Sequence, residues 1–287
     1  MEWINSDKNI LIVGLGLMGG SYARALKRLG FHVSAIDRDG ETIAWALREH
    51  VIHEGTAGEN EEALIRKADA VIFALYPGIF PDWVQEHQHL FRPGIMMTDV
   101  TGVKSCVVYR IQEILREDAE FIAAHPMAGR ELSGVQHSDD RIFQGANYII
   151  VPTEKNTAKG IEWCGMLGRL LGCARITVLS PEEHDEMIAF VSQLTHCIAV
   201  SLMTCSDNTH LVDYTGDSFR DLTRIARIND RMWSELFMLN REPLLRQMDT
   251  FLKELSSFRD MLKNGDTEGM RAKMRLSTER RALFDRK

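Results

Sequence analysis

Short apolar runs alternate with amphipathic stretches through roughly the first 180 residues, the runs falling at 9–13, 32–36, 70–75, 95–100, 120–124 and 147–151. This rhythm predicts a parallel sheet covered by helices. A helical pattern over 158–171 and a last β-like run at 175–179 extend the α/β part to about residue 179. The regime then changes. Ser180-Pro181-Glu182-Glu183 supplies an N-cap serine, a proline at the first helical position and a glutamate placed to close a capping box.

From there almost everything has helical periodicity. Met187, Val191, Leu194, Ile198 and Leu202 form one apolar stripe, and Leu244, Met248, Phe251, Leu255, Phe258 and Leu262 alternate steps of four and three. A seam of that length packs on another helix, within the chain or across a two-fold axis. The expected architecture is an N-terminal Rossmann-like α/β dinucleotide-binding domain at 1–179 and an all-α C-terminal dimerisation domain at 180–287.

Composition narrows the functional classes. With 45% hydrophobic and 26% charged residues, the 287-residue chain is ordinary globular protein. A net charge of −7 argues against nucleic acid as a partner. The basic run near the end is interleaved with Glu268, Glu279 and Asp285, as on a solvated helix face. Five cysteines without a C-x-x-C pair give neither a disulfide framework nor a metal site, and fit a reducing compartment. No basic-then-apolar leader opens the chain, and no apolar run approaches the ~20 residues of a membrane span, so a cytoplasmic protein is expected.

Candidate chemistry begins with Gly14-x-Gly16-x-x-Gly19, which follows an apolar strand and opens a helix, the context a dinucleotide fingerprint requires. Asp37, at the end of the next strand, can accept ribose hydroxyls and would repel a 2′-phosphate, so NAD is favoured over NADP. Downstream, the proline of His125-Pro126 biases His125 toward extended backbone, placing the imidazole at a strand end. A nicotinamide cofactor that takes hydride and a histidine that takes a proton are the two halves of an alcohol oxidation.

Five segments in order carry a family resemblance: Gly14-x-Gly16-x-x-Gly19-Gly20-Ser21; Asp99-Val100-Thr101-Gly102-Val103-Lys104-Ser105; His125-Pro126-Met127-Ala128-Gly129-x-Glu131-x-Ser133-Gly134; Gln193-Leu194-Thr195-His196; and Phe219-Arg220-Asp221-Leu222-Thr223-Arg224-Ile225-Ala226. The chain resembles the prephenate/arogenate dehydrogenases of tyrosine biosynthesis over nearly its whole length. The resemblance implies NAD-dependent oxidative decarboxylation of prephenate, or of arogenate, by a homodimer joined through its helical half. It implies His125 as the base, Arg224 as the carboxylate-binding cation, Lys104 and His196 in the site, Glu131 near its entrance, Trp233 in its wall, and Gly20 and Ser21 beside the cofactor.

One position departs from that pattern. Many members carry serine where this chain has Gly102, and the missing hydroxyl could come from Thr101, Ser105 or water. Within these 287 residues, the regulatory or mutase domain that some members carry is not expected. Two other readings stand beside this one. A β-hydroxyacid dehydrogenase would want a lysine where Glu182-Glu183-His184-Asp185 offers none, and a non-catalytic NAD(H) sensor would need neither His125 nor Arg224. His184, like His53, His87 and His89, reads as structural; it lies ~18 Å along a helix from His196, too far for both to touch one reacting carbon.

Overall fold

The computed structural model describes residues 8–130 and 132–284. β1 (Asn9–Val13), α1 (Leu17–Arg28), β2 (His32–Ile36), α2 (Gly40–Arg48), β3 (Glu54–Thr56), α3 (Glu61–Lys67), β4 (Ala70–Phe73), α4 (Phe80–His87), β5 (Ile95–Asp99), α5 (Ser105–Ile114) and β6 (Ala119–Phe121) build a six-stranded sheet, order β3-β2-β1-β4-β5-β6. All of its pairings are parallel. The order reverses between β1 and β4, the crevice where doubly wound folds bind nucleotides. Side chains alternate between two cores: Ile10 and Ile12 of β1 join one, Leu11 and Val13 the other.

The apolar run at 120–124, expected as one strand of that sheet, is broken. Ile122 still donates its N–H to Met97 O at 2.9 Å, and the chain then turns into β7 (Ala123–Pro126) of a second sheet. There β7 pairs antiparallel with β8 (Asn147–Val151), which pairs parallel with β9 (Arg175–Val178), α6 (Ala158–Leu170) lying between them in sequence. The change of sheet leaves His125 next to last in its strand, so the strand-end position read from Pro126 is met.

α7 (Pro181–Ile188) opens with the full capping box, continues through a π-helical stretch at Ala189–Leu194 and ends as α8 (Thr195–Thr204). The wide π turn inserts a residue and rotates everything after it, so the expected stripe does not survive: Leu194 is buried while Val191 is exposed. The continuous helix Pro181–Thr204 is also long and apolar enough on average to cross a membrane, contrary to expectation, because Ser192, Gln193, Thr195 and His196 interrupt the run without outweighing it. About a quarter of its most apolar stretch is buried.

α9 (Leu211–Tyr214), α10 (Asp217–Thr223), a 3₁₀ turn at Arg224–Ala226 and α11 (Asp230–Leu239) follow. By compactness the chain divides after Asn240, helices α7 to α11 sharing one unit with the sheets. The second unit is the hairpin of α12 (Arg241–Lys263) and α13 (Thr267–Ala282), joined by a Lys273–Glu254 ion pair of 2.7 Å and started at its second helix by the Asp266 cap on Gly269 N–H. Leu244 is the one buried residue among those described in the hairpin, and Leu255 and Leu262 of the predicted seam are more than half exposed.

Candidate active site

The glycine-rich turn between β1 and α1 is shaped by two close approaches. Gly14 has φ +90°, and a Cβ there would stand 2.5 Å from Ala74 O; a Cβ on Gly19 would stand 2.0 Å from Gly14 O. Only glycine fits at either. Over Gly16 nothing comes within 4 Å, and the α1 N-terminus carries no side-chain cap. Open N–H groups and an accessible backbone suit a pyrophosphate. Asp37 holds the turn in place, accepting from Leu15 N–H at 2.6 Å and Asp39 N–H at 2.9 Å. Gly20 and Ser21 do not face that space. Gly20 packs on Ser138 and Val135, and the Ser21 hydroxyl donates to Leu17 O at 2.7 Å and accepts from Asp139 N–H at 3.0 Å. Their small size fastens α1 to the 135–139 segment.

A second turn, between β5 and α5, is closed. Asp99 and Lys104 form a fully buried ion pair of 2.7 Å. Asp99 also accepts from the N–H groups of Thr101 at 3.0 Å and Ala124 at 3.1 Å and from the Thr101 hydroxyl. The Lys104 ammonium donates further to Ala124 O at 2.6 Å and Thr101 Oγ1 at 3.2 Å. Three donors meet three acceptors, leaving Lys104 none for a substrate, so its expected place in the site becomes one of support beneath β7. Burial lowers the Lys104 pKa, and Asp99 opposes that shift. Thr101 is likewise spent on the hub and cannot replace the serine missing at Gly102.

The α5 N-terminus is capped from a distance. Asp185 of α7 accepts from Lys104 N–H at 2.8 Å through Oδ1 and from Ser105 N–H at 2.9 Å through Oδ2. It is the backbone of Ser105, with its hydroxyl, that supports Asp185. His184 Nδ1 lies 2.8 Å from Asp185 Oδ1, and His184 Nε2 lies 2.9 Å from His125 Nδ1. The sequence reading left His184 out of the site; the structure puts it, fully enclosed, against His125. His125 reaches His184 from β7, not along the helix that carries His184 and His196.

His125 is half-buried, and among the described residues no group takes its Nε2. Burial, then His184 and Lys104, push its pKa well below the ordinary histidine value. Burial likewise lowers that of His184, against Asp185. Burial raises the Asp185 carboxyl, but hydrogen bonds from His184 and Ser105 outweigh it and the net shift is downward.

Gly102 faces the His125 ring and Leu236 of α11. Three residues before Leu236, and so on the same helix face, Trp233 stacks on His196 with ring centroids 3.7 Å apart. Gln193 binds the carbonyl of Leu236 at 3.0 Å, and Asn240 ties Gln193 to the carbonyl of Asp185. The Gln193-to-His196 segment thus joins α7, α8 and α11. Arg224 is exposed on the 3₁₀ turn that packs against α8. Glu131, expected near the entrance, lies outside the described residues.

Residues 22–172 match the family model "Prephenate dehydrogenase, nucleotide-binding domain", and residues 180–276 match "Prephenate dehydrogenase, dimerization domain". Prephenate dehydrogenase of Bacillus subtilis is 30% identical over 91% of this chain and 72% of its own length. Cyclohexadienyl dehydrogenase of Zymomonas mobilis is 27% identical over 95% and 97%. The crystal structure of prephenate dehydrogenase from A. aeolicus with hydroxyphenyl propionate and NAD+ aligns with a TM-score of 0.87 at 29% identity, covering 97% of this chain and 98% of that one. A Rossmann-type sheet, an open glycine turn and two matched family models agree: the chain belongs to the prephenate dehydrogenase family.

Proposed function

We propose that this chain catalyses the NAD-dependent oxidative decarboxylation of prephenate to 4-hydroxyphenylpyruvate, with His125 as the base. The observation that carries this reading is His125 itself, held through Nδ1 by His184 with Nε2 left for a substrate hydroxyl. The Gly14–Gly19 turn and Asp37 would hold the cofactor, which when bound accepts hydride from the carbinol carbon. His125 Nε2 takes the hydroxyl proton, a step open to it at neutral pH because its depressed pKa keeps it unprotonated. Loss of carbon dioxide leaves its electron pair in the ring, and aromatisation supplies the driving force. Arg224 would bind a carboxylate through its guanidinium fork, and the His196–Trp233 stack would line the ring site.

The active form is a homodimer through residues 180–287. Support comes from the dimerisation-domain match, the largely exposed apolar helix Pro181–Thr204, and an α12–α13 hairpin with too little buried surface to stand uncovered. A second copy of the chain, and not a bilayer, is the cover this reading assigns to the long helix. All five cysteines are free thiols, as suits a cytoplasmic enzyme.

The test is to incubate the protein with NAD+ and either prephenate or arogenate and follow absorbance near 340 nm. Prephenate should give the larger kcat/KM. A rate confined to arogenate would move the substrate, and no reduction with either would sink the reading. Light scattering at micromolar concentration should return twice the 32.6 kDa chain mass.

A further inference from the structure

The donor order along His125, His184 and Asp185 is fixed by what a carboxylate can do. Asp185 accepts only, and its Oδ1 sits 2.8 Å from His184 Nδ1, so that nitrogen must carry hydrogen. A neutral His184 then has its lone pair on Nε2, 2.9 Å from His125 Nδ1. That nitrogen must in turn be the donor, and a neutral His125 is left with its lone pair on Nε2. We infer that His184 and Asp185 are positioning residues that set the tautomer and orientation of His125, making Nε2 its basic nitrogen; the inference deepens the proposed role of His125.

Asp185 is suited to this because it cannot rotate away. It is bound to two backbone N–H groups at the head of α5, and its own carbonyl accepts from Asn240 at 2.9 Å. The charged groups facing the two rings are Asp185, Lys104 and Asp99, the last two neutralising each other in their buried pair. When His125 gains a proton, its Nδ1–H keeps an acceptor in His184, with the Asp185 charge behind it. The same geometry therefore orients the resting base and keeps its Nδ1–H paired once it is protonated.

The test is nitrogen NMR of the whole protein labelled in histidine, with the His125 signals identified by their loss in His125→Asn. His125 should appear protonated at Nδ1 and bare at Nε2 near neutral pH. His184→Gln keeps an acceptor oxygen and should retain that tautomer and kcat within a few-fold. His184→Phe removes the acceptor, so the tautomer should mix and kcat should fall by roughly 10–100-fold. KM for prephenate and NAD+ affinity should stay within about twofold, since His184 is argued to touch neither ligand.

Protonation of wild-type His125 at Nε2 overturns the inference, as does a His184→Phe enzyme with unchanged tautomer and kcat. Should His184→Phe fail to fold, the wild-type and His184→Gln spectra decide alone. A protein inactive on prephenate whose His125 is nonetheless protonated at Nδ1 would fail the functional reading and support the tautomer assignment.

Discussion

Two turns in this molecule share one plan and are finished in opposite ways. Each leaves the C-terminal end of a central parallel strand, β1 or β5, and runs within a few residues into a helix. At the first, glycines strip away side chains and the helix N-terminus is left uncapped. At the second, a buried Asp99–Lys104 pair fills the turn, and Asp185 arrives from α7 to take the N–H groups of Lys104 and Ser105. An uncapped helix N-terminus attracts an anion from solution; one that already holds a carboxylate has spent that potential on architecture. The open turn is a place for a ligand, and the closed turn is a mount for His125.

The comparison is broken most severely by removing what the mount carries. His125→Asn should lower kcat by about 10²–10⁴, the usual range for general base catalysis, while NAD+ affinity at the open turn stays near its original value. With neutral His125 as the proposed active form, kcat/KM should fall as pH drops through its pKa. Burial, His184 and Lys104 hold that pKa down, which places the acidic limb below the ordinary histidine value of about 6.5. The variant should lose the limb; an identical limb in its pH profile would make another group the base.

Lys104→Met tests the mount itself. It leaves Asp99 charged and fully buried without its partner, a loss of about 3–5 kcal/mol when one member of a buried pair is removed. Denaturant titration should show that loss in the midpoint. A variant as stable as the parent but with reduced kcat would instead return Lys104 to direct catalysis.

How much of this was legible follows from where each constraint lies along the chain. The open turn is local: Gly14, Gly16 and Gly19 act within one strand–helix unit, and their spacing alone announces it. Its limits were harder to see, since Gly20 and Ser21 stand in the same run yet face residues 135–139. The mount is assembled from β5, β7 and α7, and only folding brings Asp185 to the head of α5. His184 carried a faint signal, an adjacent His-Asp pair just after a capping box, but no spacing rule links it to His125. The break at Ile122 and the π turn at Ala189–Leu194 escaped for another reason: both leave the apolar pattern intact and change only its phase.

Arg224 sharpens the comparison from the ligand side. If the open turn holds the cofactor's phosphates and Arg224 a substrate carboxylate, the two anion sites should be separable by mutation. Arg224→Ala should raise KM for prephenate by roughly 10–100-fold, the worth of about 1.5–3 kcal/mol for a hydrogen bond to a charged group. NAD+ affinity should change little. Equal losses for both ligands, or none for either, would remove Arg224 from the substrate site.

The smallest effect is expected where the closed turn itself contains a glycine. A Cβ on Gly102 would meet Leu236 at 3.7 and 3.8 Å and His125 Cε1 at 4.0 Å, all ordinary contacts, and the backbone there is not left-handed. Gly102 is therefore not required by space, unlike Gly14 and Gly19, and serine should fit with stability changed by less than about 0.5 kcal/mol. Its hydroxyl would sit beside the His125 ring, within reach of a substrate hydroxyl that Thr101 cannot serve because it is bound to Asp99. Gly102→Ser should thus lower KM for prephenate by a few-fold, the worth of roughly 1 kcal/mol for one neutral hydrogen bond. Gly102→Ala, with the same Cβ and no hydroxyl, should leave KM near its starting value. If both variants raise KM alike while the fold holds, the substrate already fills the space beside Gly102, and the glycine is a matter of room after all.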